Sequence, residues 1–283
     1  DSSTIPIREL SMQSLDSFNM GYLDVTDLNI NLSGKYFPDY IEANIKNIQF
    51  NTNSDFDLKQ LSFKAVLNNK TGSRIENFDL ITNRTNLKIS DLYVSEFSPL
   101  NGFDYEEFGE KNIQLKLLTD KFDFSDLIFF LPSLDFLAGR VYLDIDVEDK
   151  YKNLRIEKLI LKTDNSTYNF TGRIQNLQKP TDLIYDITGR DMSINPVDTK
   201  TILPDLPIPD YSHVGVVTIP FVEFKGEHDD FDANFDVRTA LGNASGDVFL
   251  NFENEFVYRG NVKTENLNIG RIIKDDELES NIK

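Results

Sequence analysis

The sequence feature that most constrains the fold is the alternation of apolar and polar residues at every second position. The segment LRIEKLILKTDNSTYNFTGRIQNL (154–177) contains two such runs, separated by the turn residues Thr-Asp-Asn-Ser. The same period recurs along the chain, among other places at 28–32, 41–45, 61–67, 141–147, 231–237 and 256–262. Strands with one apolar and one polar face are typical of antiparallel sheets. The pattern therefore predicts an all-β, mostly antiparallel fold.

Helical signals are few and short. Ser125-Asp126 predicts a helix N-terminus, and Pro132 ends that helix. Two further short helices are predicted at 197–203 and 270–276. The proline cluster TILPDLPIPDYSH (201–213) predicts a break or crossover between two sheet segments. We therefore divide the chain into an N-terminal strand segment (1–57), a repeat segment (58–203) and a continuing β segment (204–283).

An internal repeat connects two of the predicted hairpins. Ile75-Glu-Asn-Phe-Asp-Leu-Ile-Thr aligns without a gap with Ile156-Glu-Lys-Leu-Ile-Leu-Lys-Thr, and the alignment continues to Ile89 and Phe170. A looser third copy begins at Phe235-Asp-Val-Arg-Thr, with a glycine at its turn. Repetition on this scale predicts similar groups of strands stacked into an elongated sheet.

Composition argues against several classes of function. A net charge of −18 disfavours binding to nucleic acid and to anionic membrane surfaces. The chain has no cysteine, which excludes disulfides, thiolate nucleophiles and cysteine metal sites. Its densest apolar stretch, 127–139, is interrupted by Pro132 and Asp135, so no transmembrane helix is predicted.

Candidate catalytic and metal-binding residues are scarce. His213 and His228 are the only histidines, and His228-Asp229-Asp230 offers hard ligands whose spacing fits no standard metal loop. We favour a solvated acidic turn there. Paired carboxylates of a glycoside hydrolase are an alternative in so acidic a chain, but there is no tryptophan for a sugar platform. We predict no enzyme activity, no catalytic residue, no metal site and no cofactor.

The repeated phrase in 154–177 reads apolar-X-X-Leu-X-Leu-X-Thr-X-X-Ser-X-Tyr-X-Phe-X-Gly-X-Ile-X-Asn-Leu. It resembles the repeats of the TamB/AsmA-like family. The later order of Gly215-Val-Val, Phe224-Lys-Gly, Phe231-Asp-Ala-Asn-Phe and Thr239-Ala-Leu-Gly is similar to that of family members from Bacteroidota-type envelopes. The resemblance extends over 58–273.

This resemblance implies a U-shaped sheet, a β-taco, whose concave apolar groove holds phospholipid acyl chains. It implies a periplasmic segment of a bridge-like protein that supports inter-membrane lipid transport and outer-membrane biogenesis. A full member has an inner-membrane anchor and contacts an outer-membrane barrel of the BamA or TamA type. We expect both features to lie outside this sequence, which we take as an internal fragment. An alternative role is a scaffold that assists outer-membrane protein assembly by β-strand pairing.

The apolar side of the strands has two possible partners. On alternation alone, a closed core against a second sheet is favoured, as in a sandwich. The repeat and the resemblance shift the preference to an open groove that binds lipid. The predicted groove-lining residues are Leu61, Phe63, Phe78, Leu80, Leu87, Ile89, Leu143, Ile145, Leu159, Leu161, Tyr168, Phe170, Ile174, Phe235, Val237 and Val248.

Overall fold

The computed structural model describes residues 24–53, 56–98, 104–126, 136–179, 182–205, 209–227, 229–252, 256–274 and 281–282. Within these ranges the chain forms one open sheet of 14 strands and a separate two-stranded ribbon. Every strand pairing is antiparallel, and the strands of the large sheet follow one another in chain order. With strands about 4.8 Å apart, the sheet is on the order of 60 Å wide. The prediction of an elongated, all-β, antiparallel fold with few short helices is confirmed.

The strands are mostly long and regular, because the alternating sequence gives each of them one face to bury. Their bounds are β1 (Val25–Phe37), β2 (Tyr40–Thr52), β3 (Leu58–Asn68), β4 (Gly72–Thr82), β5 (Asn86–Ser95), β6 (Asn112–Asp123), β7 (Arg140–Lys150), β8 (Asn153–Lys162), β9 (Thr167–Gln175), β10 (Ile184–Ile194), β11 (Val217–Gly226), β12 (Asp230–Thr239), β13 (Gly242–Asn251) and β14 (Val257–Glu265). The ribbon pairs β15 (Leu267–Asn268) with β16 (Asn281–Ile282). The helices are α1 (Tyr105–Gly109), α2 (Pro196–Ile202), α3 (Ile269–Ile273) and a 3-10 turn (Ser212–Val214).

The predicted helices lie close to the observed ones. α2 starts one residue before the predicted 197–203, since Asn195 caps it by accepting a hydrogen bond from the Val197 amide at 3.1 Å. α3 begins at Ile269 and ends at Lys274, which has a left-handed backbone. Residues 124–126 are helical, so that helix begins before the predicted cap at Ser125. Its predicted continuation through 127–135 lies outside the described residues.

The predicted break or crossover at the proline cluster is wrong, because the connection between β10 and β11 is a long loop at one rim that joins two neighbouring antiparallel strands. The loop contains α2 and the 3-10 turn. β10 and β11 still pair directly along their length, from Tyr185 opposite Gly226 to Ile194 opposite Val217. The sheet therefore continues without a break at this connection.

Alternate connections of a chain-ordered antiparallel sheet lie at the same rim. One rim, which we call the clasp rim, holds the turns at 82–85, 163–166 and 239–242 together with α2 and α3. The opposite rim holds α1 and the remaining connections between strands of the large sheet. Fully buried apolar residues lie toward both rims. Toward the clasp rim they are Phe56, Leu58, Val141, Met192 and Val214, and toward the opposite rim Ala65, Val94, Ile113, Val147 and Ile156.

Successive strands carry an irregularity at a similar level between the two rims. Extra residues break the register of β4 beside Lys64, of β5 between Ile89 and Asp91, and of β8 between Ile156 and Leu159. In β9, the neighbouring position is Gly172, with a positive φ of 133°. Bulges and glycines of this kind bend the strand that carries them. They lie side by side on two pairs of neighbouring strands, β4 with β5 and β8 with β9, and so favour a bend at a similar level in both places.

Candidate functional site

The predicted lining residues lie on one face of the sheet, which we call the apolar face. In an antiparallel sheet, directly paired residues project to the same side. Pairing therefore traces continuous rows across the strands. The first row contains Leu61, Leu80, Leu87, Thr119, Leu143, Leu161 and Tyr168. The second row contains Phe78, Ile89, Leu117, Ile145, Leu159, Phe170, Gly189, Val222, Phe235, Gly246 and Val262.

The remaining predicted residues extend this face beyond the two rows. The ring of Phe63 stacks on that of Phe78 with centroids 5.8 Å apart. Ile174 pairs with Leu154 and Tyr185, Val248 pairs with Ala233, and Val237 pairs with Ala244. The structure thus brings all of the predicted positions together on one side of one sheet, and their contact with a lipid stays a prediction.

The residues predicted to line a groove are only half-buried. None of them is among the fully buried side chains of the described chain. In a closed sandwich the two inner faces interdigitate and bury such residues completely. The described residues provide a single large sheet and no second one of comparable size to cover it. The apolar face therefore presents accessible hydrocarbon between two better-buried margins.

Several predicted equivalences of the internal repeat are also equivalences in space. Phe78 and Leu159 lie in the same row, and so do Ile89 and Phe170. Leu80 and Leu161 both lie in the other row. The repeat therefore presents the same apolar row on successive groups of strands, which makes the face continuous along the sheet.

The opposite side of the sheet, the polar face, is charged. Cross-strand pairing places Lys64, Glu76, Asp91, Lys116, Asp146 and Lys158 in successive positions of one row. Lys116 lies 2.8 Å from Asp146, and Lys64 lies 3.8 Å from Glu76. Exposed ion pairs of this kind add little to stability. They do keep this face hydrated, so the sheet is amphipathic.

Polar contacts at the clasp rim tie two hairpin turns to the segments beside them. Thr163 and Ser166 both donate hydroxyl hydrogens to the carboxylate of Asp198 in α2. Asn165 donates to it through its backbone amide at 3.1 Å and its side-chain amide at 2.9 Å. One repeat earlier, Thr82 donates to Asp126 in the same way. We call these two contacts the clasps.

The clasp also sets the protonation of Asp198. Burial raises the pKa of this carboxyl, but the hydrogen bonds from Ser166, Thr163 and Asn165 outweigh burial and hold the pKa below its ordinary value. Nearby, burial raises the pKa of the Tyr168 phenol. Both groups therefore keep their ordinary neutral-pH forms, a carboxylate and a phenol. The Asp198 carboxylate has a structural role, because it already accepts hydrogen bonds from the β8–β9 turn.

A chain of contacting aromatic rings, some edge-on or tilted and the last ones stacked, lies on the apolar side of the last strands, toward the opposite rim. Successive ring centroids are separated by 5.7, 4.3, 6.3, 5.2 and 5.5 Å. The rings are those of Tyr185, Phe224, Phe231, Phe252, Phe256 and Tyr258. The apolar face is thus mainly aliphatic over the middle of the sheet and aromatic toward β14.

Sequence reasoning missed several residues of the apolar face. Leu115 and Leu117 of β6 pair directly with Leu92 and Ile89, yet no β6 residue was predicted. The alternation of Ile113, Leu115 and Leu117 was the available signal. Val222 of β11 also went unpredicted, because the adjacent apolar residues of VTIPFVEF conceal its period.

Residues considered for metal or catalytic chemistry have structural roles where they are described. The Nε2 of His213 lies 2.8 Å from the Arg271 carbonyl oxygen and 3.0 Å from that of Ile272. His228 lies outside the described residues. The acidic stretch at 104–110 forms α1, whose Asp104 caps the helix and whose Glu110 pairs with Lys150. In the described ranges, no three His, Asp or Glu side chains are grouped to hold a metal ion.

The helices of the described chain are all too short to cross a membrane. Comparison of the chain with family models, with curated proteins and with solved structures gives no match.

Proposed function

We propose that this chain binds the acyl chains of phospholipids along the apolar face of its sheet. In this proposal it is a periplasmic segment of a TamB/AsmA-like bridge protein that supports inter-membrane lipid transport and outer-membrane biogenesis. The observation that carries the proposal is the second row, in which half-buried apolar side chains continue from β4 to β12, with glycines at Gly189 and Gly246 and the exposed Val262 at its end in β14.

Hydrophobic burial supplies enough free energy for such binding. Burying one CH₂ group contributes about 0.8 kcal/mol, so ten of them contribute about 8 kcal/mol before the losses of association. The interaction has no preferred direction. A chain held by one group of strands therefore meets a similar row on the next group, and sliding along the face needs no polar bond to break. The charged polar face stays in water, which keeps the amphipathic sheet dispersed.

Native mass spectrometry of gently purified protein, followed by organic extraction, tests the proposal. We expect phospholipid to accompany the wild-type protein and to be lost from the variant Leu161→Asp/Phe170→Asp. Circular dichroism must show that this variant keeps its sheet. A wild-type protein without lipid after exposure to phospholipid vesicles would argue against the proposal.

A second candidate is the scaffold that assists outer-membrane protein assembly by strand pairing. It is supported by the two outer strands, β1 and β14, which are almost entirely exposed and pair on one side only within the described chain. Polar substitutions on the apolar face distinguish the two candidates. A lipid-binding face loses its ligand, whereas a scaffold that works through its edges keeps binding to client strands.

A further inference from the structure

Among the described residues, the outer strand β14 is paired on one side only, and its other edge differs in charge from the protein as a whole. Its exposed polar-face residues include Arg259 and Lys263, although the protein carries a net charge of −18. The guanidinium of Arg259 lies over the ring of Phe249, 4.2 Å from its centroid. Neither Arg259 nor Lys263 has a carboxylate within ion-pair distance among the described residues. Arg259 and Lys263 therefore form a basic pair on this edge, and Glu265 follows them at the end of the strand.

Elsewhere in the sheet, two lysines of the polar face form ion pairs with acidic residues of a neighbouring strand. Lys116 of β6 is 2.8 Å from Asp146 of β7, and Lys158 of β8 is 2.8 Å from Asp144, also of β7. Cross-strand pairs of opposite charge favour a register, and like charges disfavour it. By the same rule, a strand that paired with β14 would be favoured by acidic residues opposite Arg259 and Lys263.

The apolar side of the same edge also lacks a neighbour. Tyr258 is 72% exposed and Val262 is 52% exposed, and both project to the apolar face. Between them lies Gly260, which has no side chain. A strand that alternates apolar residues with polar or acidic ones would cover these side chains and satisfy the exposed backbone groups of the edge.

The chain already shows how a strand approaches this edge. After Asn266, whose φ is 52°, β14 continues as β15, and Leu267 and Asn268 pair antiparallel with Ile282 and Asn281. β10 behaves in the same way after Asp191, whose φ is 51°, since Ile194 pairs with Val217 at the start of β11. The geometry at the clasp-rim end of β14 is thus that of a strand receiving an antiparallel neighbour.

We propose that β14 is a docking edge for an extended, antiparallel β-strand with acidic residues four positions apart on one face and apolar residues at alternate positions on the other. The acidic residues lie opposite Lys263 and Arg259, and the apolar residues lie opposite Val262, Gly260 and Tyr258. The proposal does not depend on lipid binding to the apolar face. It specifies, for the scaffold candidate, that the binding edge is β14 and that the partner strand carries acidic and apolar residues.

Two synthetic peptides of equal length and apolar content test this proposal. The acidic peptide is Thr-Glu-Val-Thr-Phe-Glu-Ile-Thr, and the basic peptide has lysine at both glutamate positions. Binding of each dye-labelled peptide to the whole chain is measured by fluorescence anisotropy. We expect the acidic peptide to bind at least about tenfold more tightly, because two attractive pairs replace two repulsive ones.

The charge-swap variant Arg259→Glu/Lys263→Glu provides the matched control. We expect it to prefer the basic peptide by a similar factor, with unchanged circular dichroism. When a peptide binds, amide hydrogen exchange should slow in β14 and stay unchanged in β1. Binding of neither peptide, an unchanged preference in the variant, or protection away from β14 would overturn the proposal. None of these outcomes affects the lipid assay, so the two proposals fail separately.

Discussion

Thr163 donates its hydroxyl hydrogen to the buried carboxylate of Asp198, and this contact joins the β8–β9 turn to α2. The same contact joins Thr82 to Asp126 one repeat earlier. Thr82 is the last residue of β4 and Thr163 directly follows β8. In both repeats the threonine hydroxyl also accepts a hydrogen bond from a backbone amide of the turn. The clasps therefore fix the turns of the repeat at one rim.

Removing a clasp should destabilise the sheet. Asp198 is only 3% exposed and accepts four hydrogen bonds, so Asp198→Ala leaves the buried Ser166 hydroxyl and the part-buried donors of Thr163 and Asn165 without this acceptor. We expect a loss of about 2–4 kcal/mol in the free energy of unfolding, measured by urea denaturation. Asp164→Ala, in the same turn but exposed, should change it by less than about 0.5 kcal/mol. Equal effects of the two substitutions would contradict a structural role for the clasp.

The clasp should also make stability depend on pH in the acid range. The pKa of Asp198 in the folded protein lies below its ordinary value of 3.8, so the folded state favours the carboxylate. Its contribution to stability is therefore present well above pH 3.8 and is lost as the pH falls through and below that value.

Urea midpoints of the wild-type protein and of Asp198→Asn, compared at several pH values, test this dependence. We expect the difference between the two proteins to be largest near neutral pH and to shrink as the pH falls below about 4. A difference that stays constant down to acid pH would show that the carboxylate charge contributes nothing.

Glycine at position 172 is required by the geometry of β9. Its φ is +133°, and a Cβ added there would lie 2.2 Å from the carbonyl oxygen of Asp186 in β10. Gly172→Ala should therefore destabilise the fold by about 2–4 kcal/mol, through backbone strain and a clash that no rotamer relieves. Gly215→Ala is the matched control, because its φ is also positive but no atom lies within 4 Å of an added Cβ. Calorimetry should give a clearly smaller loss for Gly215→Ala, and equal losses would exclude the clash as the cause.

From the sequence, the side of the sheet on which a residue lies was easier to predict than the β-bulges and the contacts between distant segments. Alternation placed Leu159, Leu161 and Phe170 on one side of the sheet, because period two is a local property of a strand. The bulge between Ile89 and Asp91 was not predictable, since it depends on how β5 meets β6. The clasp was missed for a similar reason. Asp198 and Thr163 are distant in sequence, and neither forms part of a local motif that indicates their contact.

Leu117 and Leu118 provide the sharpest test of the lipid-binding proposal, because they are consecutive in β6 and project to opposite faces. Leu117 pairs with Ile89 and Ile145 on the apolar face, whereas Leu118 pairs with Lys88 and Asp144 on the polar face and is 46% exposed. Leu117→Asp places a charge in the second row, and its desolvation should lower phospholipid occupancy at least about tenfold. Leu118→Asp makes the same chemical change on the same strand and should leave occupancy unchanged. Native mass spectra and urea midpoints of both variants separate loss of lipid from loss of folding, and equal occupancy in two folded variants would mean that lipid does not contact this face.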